Sequence, residues 1–126
     1  MIDFIGQPEA DSIRPFSRAT RAGGMIFVSG HSAPHDPENG VHRGETPAEQ
    51  VRNALNFIDG ILRAEGSSLK RVVHVTMLIM DPAHYAACNA EYVKHFPDGL
   101  PARHTARFGV PTEAMVGLSC IALAPK

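Results

Sequence analysis

Between residues 46 and 80 the hydrophobic pattern changes period once, and few folds can satisfy both halves. Val51, Ala54, Leu55, Ile58, Ile61 and Leu62 recur at three- and four-residue spacing, opposite Arg52, Asn53, Asn56, Asp59 and Arg63. That is one apolar stripe on a helix. Thr46 is placed to cap it, Pro47 suits the first helical position, Glu49 completes a capping box, and Gly66 follows its end. Residues 72–80 are then apolar almost without interruption, apart from His74 and Thr76. Such a run predicts a strand that is central or covered on both faces. A one-sided helix followed by a two-sided strand calls for a layered fold.

The flanking segments agree. Gly23-Gly24 separates a short, weakly apolar stretch from Met25-Ile26-Phe27-Val28-Ser29-Gly30, the signature of a hairpin. Residues 33–44 hold two prolines, two glycines, Asp36 and Asn39, and read as a loop. Tyr85, Cys88, Tyr92 and Phe96 mark a second helical stripe, which the segment from Pro97 to Pro101 cannot extend. Residues 105–110 and 115–123 read as two closing strands joined around Pro111. The predicted order is ββ-α-β-α-ββ, a single α+β domain over residues 1–126 with both helices on one face of one sheet. The other sheet face stays apolar along residues 72–80 and 115–123, so a homo-oligomer is expected to cover it.

Composition narrows the function. The net charge is −1 with no run of Lys or Arg, which argues against a nucleic-acid footprint. Cys88 and Cys120 lie in apolar surroundings and read as reduced core thiols. No stretch reaches the ~18 apolar residues of a membrane span, and the N-terminus lacks a basic region followed by a long apolar run. The expectation is a cytoplasmic protein without a membrane partner.

Of the polar residues, Arg103 in Pro101-Ala102-Arg103-His104-Thr105 is the most suggestive. It follows a loop and opens a strand, so its base is rigid and its head mobile. A planar guanidinium fork matches a carboxylate bidentately, as a lysine does not. Two readings stand: a small-molecule carboxylate site, or an ion pair with an acidic residue of this chain or a neighbouring subunit. The seven histidines do not make a metal site, because Pro34 and Pro37 bracket His35 and no helix carries His31 and His35 on one face. His74 reads as a core residue, His84 and His95 as facing solvent. Ser29-Gly30-His31 ends a strand, where a glycine lets a ligand approach the backbone.

These segments together resemble the RidA/YjgF family of reactive-intermediate deaminases, also called the endoribonuclease L-PSP family. The resemblance rests on Arg14-Pro15-Phe16-Ser17, residues 25–30, the helix from Thr46 with Gln50, Gly66-Ser67-Ser68-Leu69, residues 85–92, Phe96, Pro101-Ala102-Arg103 and the strand to Ile121-Ala122. It implies a chorismate-mutase-like fold, a mixed sheet with two helices on one face, and a homotrimer with clefts between subunits. It implies hydrolysis of 2-imino acids to 2-keto acids and ammonia, without metal or organic cofactor, with Arg103 binding the substrate carboxylate. Ser29, Gly30 and His31 would line the cleft and Asn89 its edge. The chain departs from the family pattern at Phe16, where active members carry a tyrosine, and at Ser119, where they carry a glutamate that helps place the water. His31 or His104 is then a candidate for proton transfer, and Ser119 for holding the water. The alternatives are a non-catalytic trimer that binds small carboxylates or keto acids, and the endoribonuclease or translation-inhibitor activity of some relatives.

Overall fold

The computed structural model describes residues 1–8 and 14–126. The strands are β1 (Asp3–Ile5), β2 (Ala19–Ala22), β3 (Met25–His31), β4 (Val72–Ile79), β5 (Ala102–Arg107) and β6 (Val116–Leu123), with helices α1 (Pro47–Ala64) and α2 (Tyr85–Tyr92). They form one six-stranded sheet in the order β1-β2-β3-β6-β4-β5. Only β4 and β5 run parallel, joined by the crossover through α2, so the sheet is mixed. The expected α+β layer stands, with two differences. β1 adds an edge strand that three residues of sequence could not announce. The last two strands are not neighbours, because β4 lies between them. The segment before Pro111 starts earlier than expected, at Ala102, and stops at Arg107.

Local chemistry explains the elements. Gly23 and Gly24 both have positive φ, at 58° and 77°, and close the β2–β3 hairpin with the two-residue turn that matches strand twist. Thr46 Oγ1 accepts from the Glu49 amide, and Glu49 Oε2 accepts from the Thr46 amide, which completes the capping box. Buried Gln50 links helix to sheet: its Nε2 donates to Gly44 O at 3.0 Å and its Oε1 accepts from Met115 N at 2.8 Å. The core lies between the helices and one sheet face, where Ile26, Val28, Val75, Met77, Leu118 and Ala122 meet Val51, Leu55, Ile58 and Leu62. α2 is a helix only to Tyr92 and continues as a 3-10 turn over Val93–His95.

Candidate functional site

Register divides the predicted site residues between the two faces of the sheet. Arg103 lies opposite Val75, which lies opposite Cys120. Both neighbours are buried under the helices, so Arg103 belongs to the helix-covered face. His104 lies opposite Thr76, which lies opposite Ser119. That cross-strand row belongs to the uncovered face. Within one chain, therefore, Arg103 and Ser119 do not meet.

On the covered side, Arg103 Nη2 donates to Asn89 Oδ1 at 2.8 Å. Its Cζ stands 4.7 Å from the Tyr92 ring centre and 5.9 Å from that of Tyr85. The two rings and the amide are at positions i, i+4 and i+7 of α2, one stripe aimed at the arginine. Among the described residues no salt bridge engages Arg103. Of the two readings, an ion pair within the chain is absent there, and a neutral amide holds the guanidinium. The guanidinium lines a recess of about 340 Å³ with Tyr92, Val93, Leu100 and Pro101. Tyr92 itself is buried; its place beside the arginine is hidden in the sequence because its spacing also fits the second helical stripe. Tyr85, read as part of that stripe, is exposed.

On the uncovered side, Ser119, Thr76, Gly30, His31 and Ser32 line a smaller recess of about 150 Å³. Gly30 has no positive φ, and a Cβ there would meet nothing within 4 Å, so its openness serves neither strain nor packing within the chain. Beside it, Phe16, Phe4, Phe27 and Ser29 border a hollow of about 520 Å³. The Ser29 hydroxyl is already committed, donating to Ser17 O at 2.6 Å. A β-bulge between Val28 and His31 adds one residue and turns the His31 ring toward α1, edge-on to Phe57 at 5.2 Å. His31 Nε2 lies 3.2 Å from Arg18 O, so that nitrogen carries the proton. Burial lowers the His31 pKa, with the nearby arginines Arg18 and Arg14 acting the same way against the hydrogen bond, and keeps the ring neutral near pH 7.

Other titratable groups are structural. Burial pushes the Cys120 thiol up to about 12 and raises Cys88 as well, although Arg103 opposes the latter, so neither is a thiolate at neutral pH. His95 does not face solvent: its Nε2 donates to buried Glu91 Oε2 at 2.8 Å. Among the described residues no group of three or more His, Cys, Asp or Glu is arranged to hold a metal ion.

Comparison with known proteins brings a family into view. The family model described as Endoribonuclease L-PSP matches residues 7–123. The chain is 36% identical over 112 residues to the mitochondrial protein mmf2 of Schizosaccharomyces pombe, covering 86% of each. It is 32% identical over 112 residues to the chloroplastic Reactive Intermediate Deaminase A of Arabidopsis thaliana, covering 88% of this chain and 59% of that protein's length. The fold superposes on a member of the YjgF protein family from Neisseria meningitidis with a TM-score of 0.82 and 28% identity, over 100% of this chain and 97% of the other.

Proposed function

This chain belongs to the endoribonuclease L-PSP family, also known as YjgF/RidA, and we propose on that footing that it hydrolyses reactive 2-imino acids to 2-keto acids and ammonia. The observation that carries the reading is the state of Arg103. It is a half-buried cation held by an amide and two aromatic rings, with no carboxylate of its own among the described residues. A ligand carboxylate supplies the missing charge through a fork that still has free N–H donors.

The chemistry asks little more of the protein. A protonated imine carbon is electrophilic; water oxygen bonds to C2, one proton passes from that oxygen to nitrogen, the C2–N bond breaks as ammonia leaves, and the remaining hydroxyl proton passes to the ammonia, so that a keto group and ammonium result. Holding the carboxylate fixes C2, which is the positional part of the rate enhancement. The hydroxyls of Ser119 and Thr76 suit a water, and His104, exposed in the same row, suits the proton transfer. Because Arg103 and Ser119 open on opposite faces, one cleft uses Arg103 of one copy and Ser119 of the next. A homotrimer meets that need, and exposed Phe4, Phe27 and Leu123 supply apolar surface for it. The absence of a tyrosine hydroxyl at Phe16 and of a carboxylate at Ser119 favours a second reading, a trimer that binds keto acids without turning imines over.

Arg103→Lys tests the conclusion. Calorimetric titration of 2-oxobutanoate is expected to show roughly 10- to 100-fold weaker binding, since a charge-assisted hydrogen bond contributes about 1.5–3 kcal/mol. Equal affinities would make Arg103 structural. Ammonia release from imines generated in situ then separates the deaminase from the binding module, and light scattering that gives a stable micromolar monomer would remove the shared cleft.

A further inference from the structure

We propose that Tyr92 is the positioning residue of the Arg103 clamp, and that the face of its ring, not its hydroxyl, sets the plane in which the guanidinium meets a carboxylate. The inference rests on the carboxylate reading of Arg103 given above. A strand-borne arginine normally carries large rotamer freedom, which any ligand must freeze on binding. Here that freedom is already reduced. Tyr92 is 3% exposed and its ring is wedged against Phe96, with centres 4.9 Å apart. Arg103 Cζ lies 4.7 Å from that ring, nearer than to the more exposed Tyr85. Asn89, three residues earlier on α2, takes one Nη2 hydrogen at 2.8 Å and so fixes rotation about the fork. A rigid ring below and an amide at one edge hold the guanidinium at the wall of the recess that Val93 and Leu100 also line.

The hydroxyl has no comparable part. It is buried without a hydrogen-bond partner among the described residues. Burial also pushes the Tyr92 pKa up to about 12 against the pull of Arg103, so the phenol stays protonated and offers the arginine no charge. What the site uses is an immobile aromatic plane whose negative face attracts the cation.

The experiment compares Tyr92→Phe, Tyr92→Leu and Arg103→Lys with the wild type, reading calorimetric affinity for 2-oxobutanoate and for 2-oxobutanamide together with the melting temperature. Tyr92→Phe is expected to bind the acid within twofold of wild type and to melt at or above its temperature. Tyr92→Leu is expected to lose tenfold or more for the acid and to shrink the preference for acid over amide; Tyr92→Met serves if the leucine variant does not fold. Acid affinity unchanged in the leucine or methionine variant, while Arg103→Lys loses it, overturns the role of the Tyr92 ring and leaves the clamp. An equal loss in Tyr92→Phe overturns it too, by assigning the effect to the hydroxyl. Wild type that binds neither ligand, or Arg103→Lys that binds as wild type does, overturns the clamp and the role of the ring together.

Discussion

The two faces of the sheet are made from the same strands and solve different problems. On one, Ile26, Val28, Val75, Met77, Leu118 and Ala122 are sealed by α1 and α2. On the other, Met25, Phe27, Ile121 and Leu123 stand beside Thr76, Ser119 and His104 with no layer of the described residues above them. Charge follows a parallel contrast beneath α2. Glu91 is buried, yet it accepts from His95 and lies 3.5 Å from Lys94 and 3.7 Å from Arg52. Among the described residues Arg103 has only neutral partners. A buried charge with its counter-ions in place is architecture; a half-buried one held by neutral groups is where the proposed reading seats a carboxylate.

Giving the uncovered face the acid it lacks is the strongest perturbation. Ser119→Glu is expected to raise imine hydrolysis by about 10²–10⁴-fold, the usual contribution of a positioned general base. The check is steady-state ammonia release with keto-acid affinity measured alongside. A wild type as fast as the variant would mean that the Ser119, Thr76 and His104 row suffices, and no turnover in either, with binding kept, would favour the binding module.

Next in size is the packing difference between the faces. Leu118→Ala, on the sealed face, should lower stability by about 2–5 kcal/mol in urea denaturation. Ile121→Ala, on the other face, should cost the single chain less and act instead on the association state measured by light scattering. Equal losses of chain stability would erase the distinction.

Glu91→Gln should cost about 1–3 kcal/mol by leaving its cationic partners uncompensated. Burial alone would raise the Glu91 pKa, but the His95 hydrogen bond, Lys94 and Arg52 outweigh it and the net shift is downward. A lowered carboxylate pKa stabilises the fold above the unfolded-state value and loses that contribution as the pH falls through the folded one. The wild type should therefore weaken in acid more steeply than the variant, which denaturation between neutral pH and about pH 3 would reveal. Smallest is Thr46→Ala, expected to remove about 1 kcal/mol by breaking the capping box, with keto-acid binding unchanged.

Much of this molecule was legible in its residues. The stripe of α1, its cap, the Gly23-Gly24 hairpin and the apolar β4 follow from short-range rules, because periodicity, capping and turn chemistry act within a few residues. Arg103 and Asn89 could be singled out and do meet. β1, with three residues, carries no period to detect, and the insertion of β4 between β5 and β6 depends on a crossover whose handedness and packing are not local.

The sequence by itself determined both helices and five of the six strands to within a few residues, that one sheet face would lack cover, and that one arginine was suited to a carboxylate. Only tertiary structure decided the rest. Strand alternation and register put Arg103 on the sealed face and Ser119 on the bare one, and a single-residue bulge set the His31 ring against Phe57 of α1. The same helical spacing that reads as core put Tyr92 under a cation. A sequence pattern states which side chains share a face; which element arrives to cover that face is settled by long-range packing, whose free energy belongs to no segment alone.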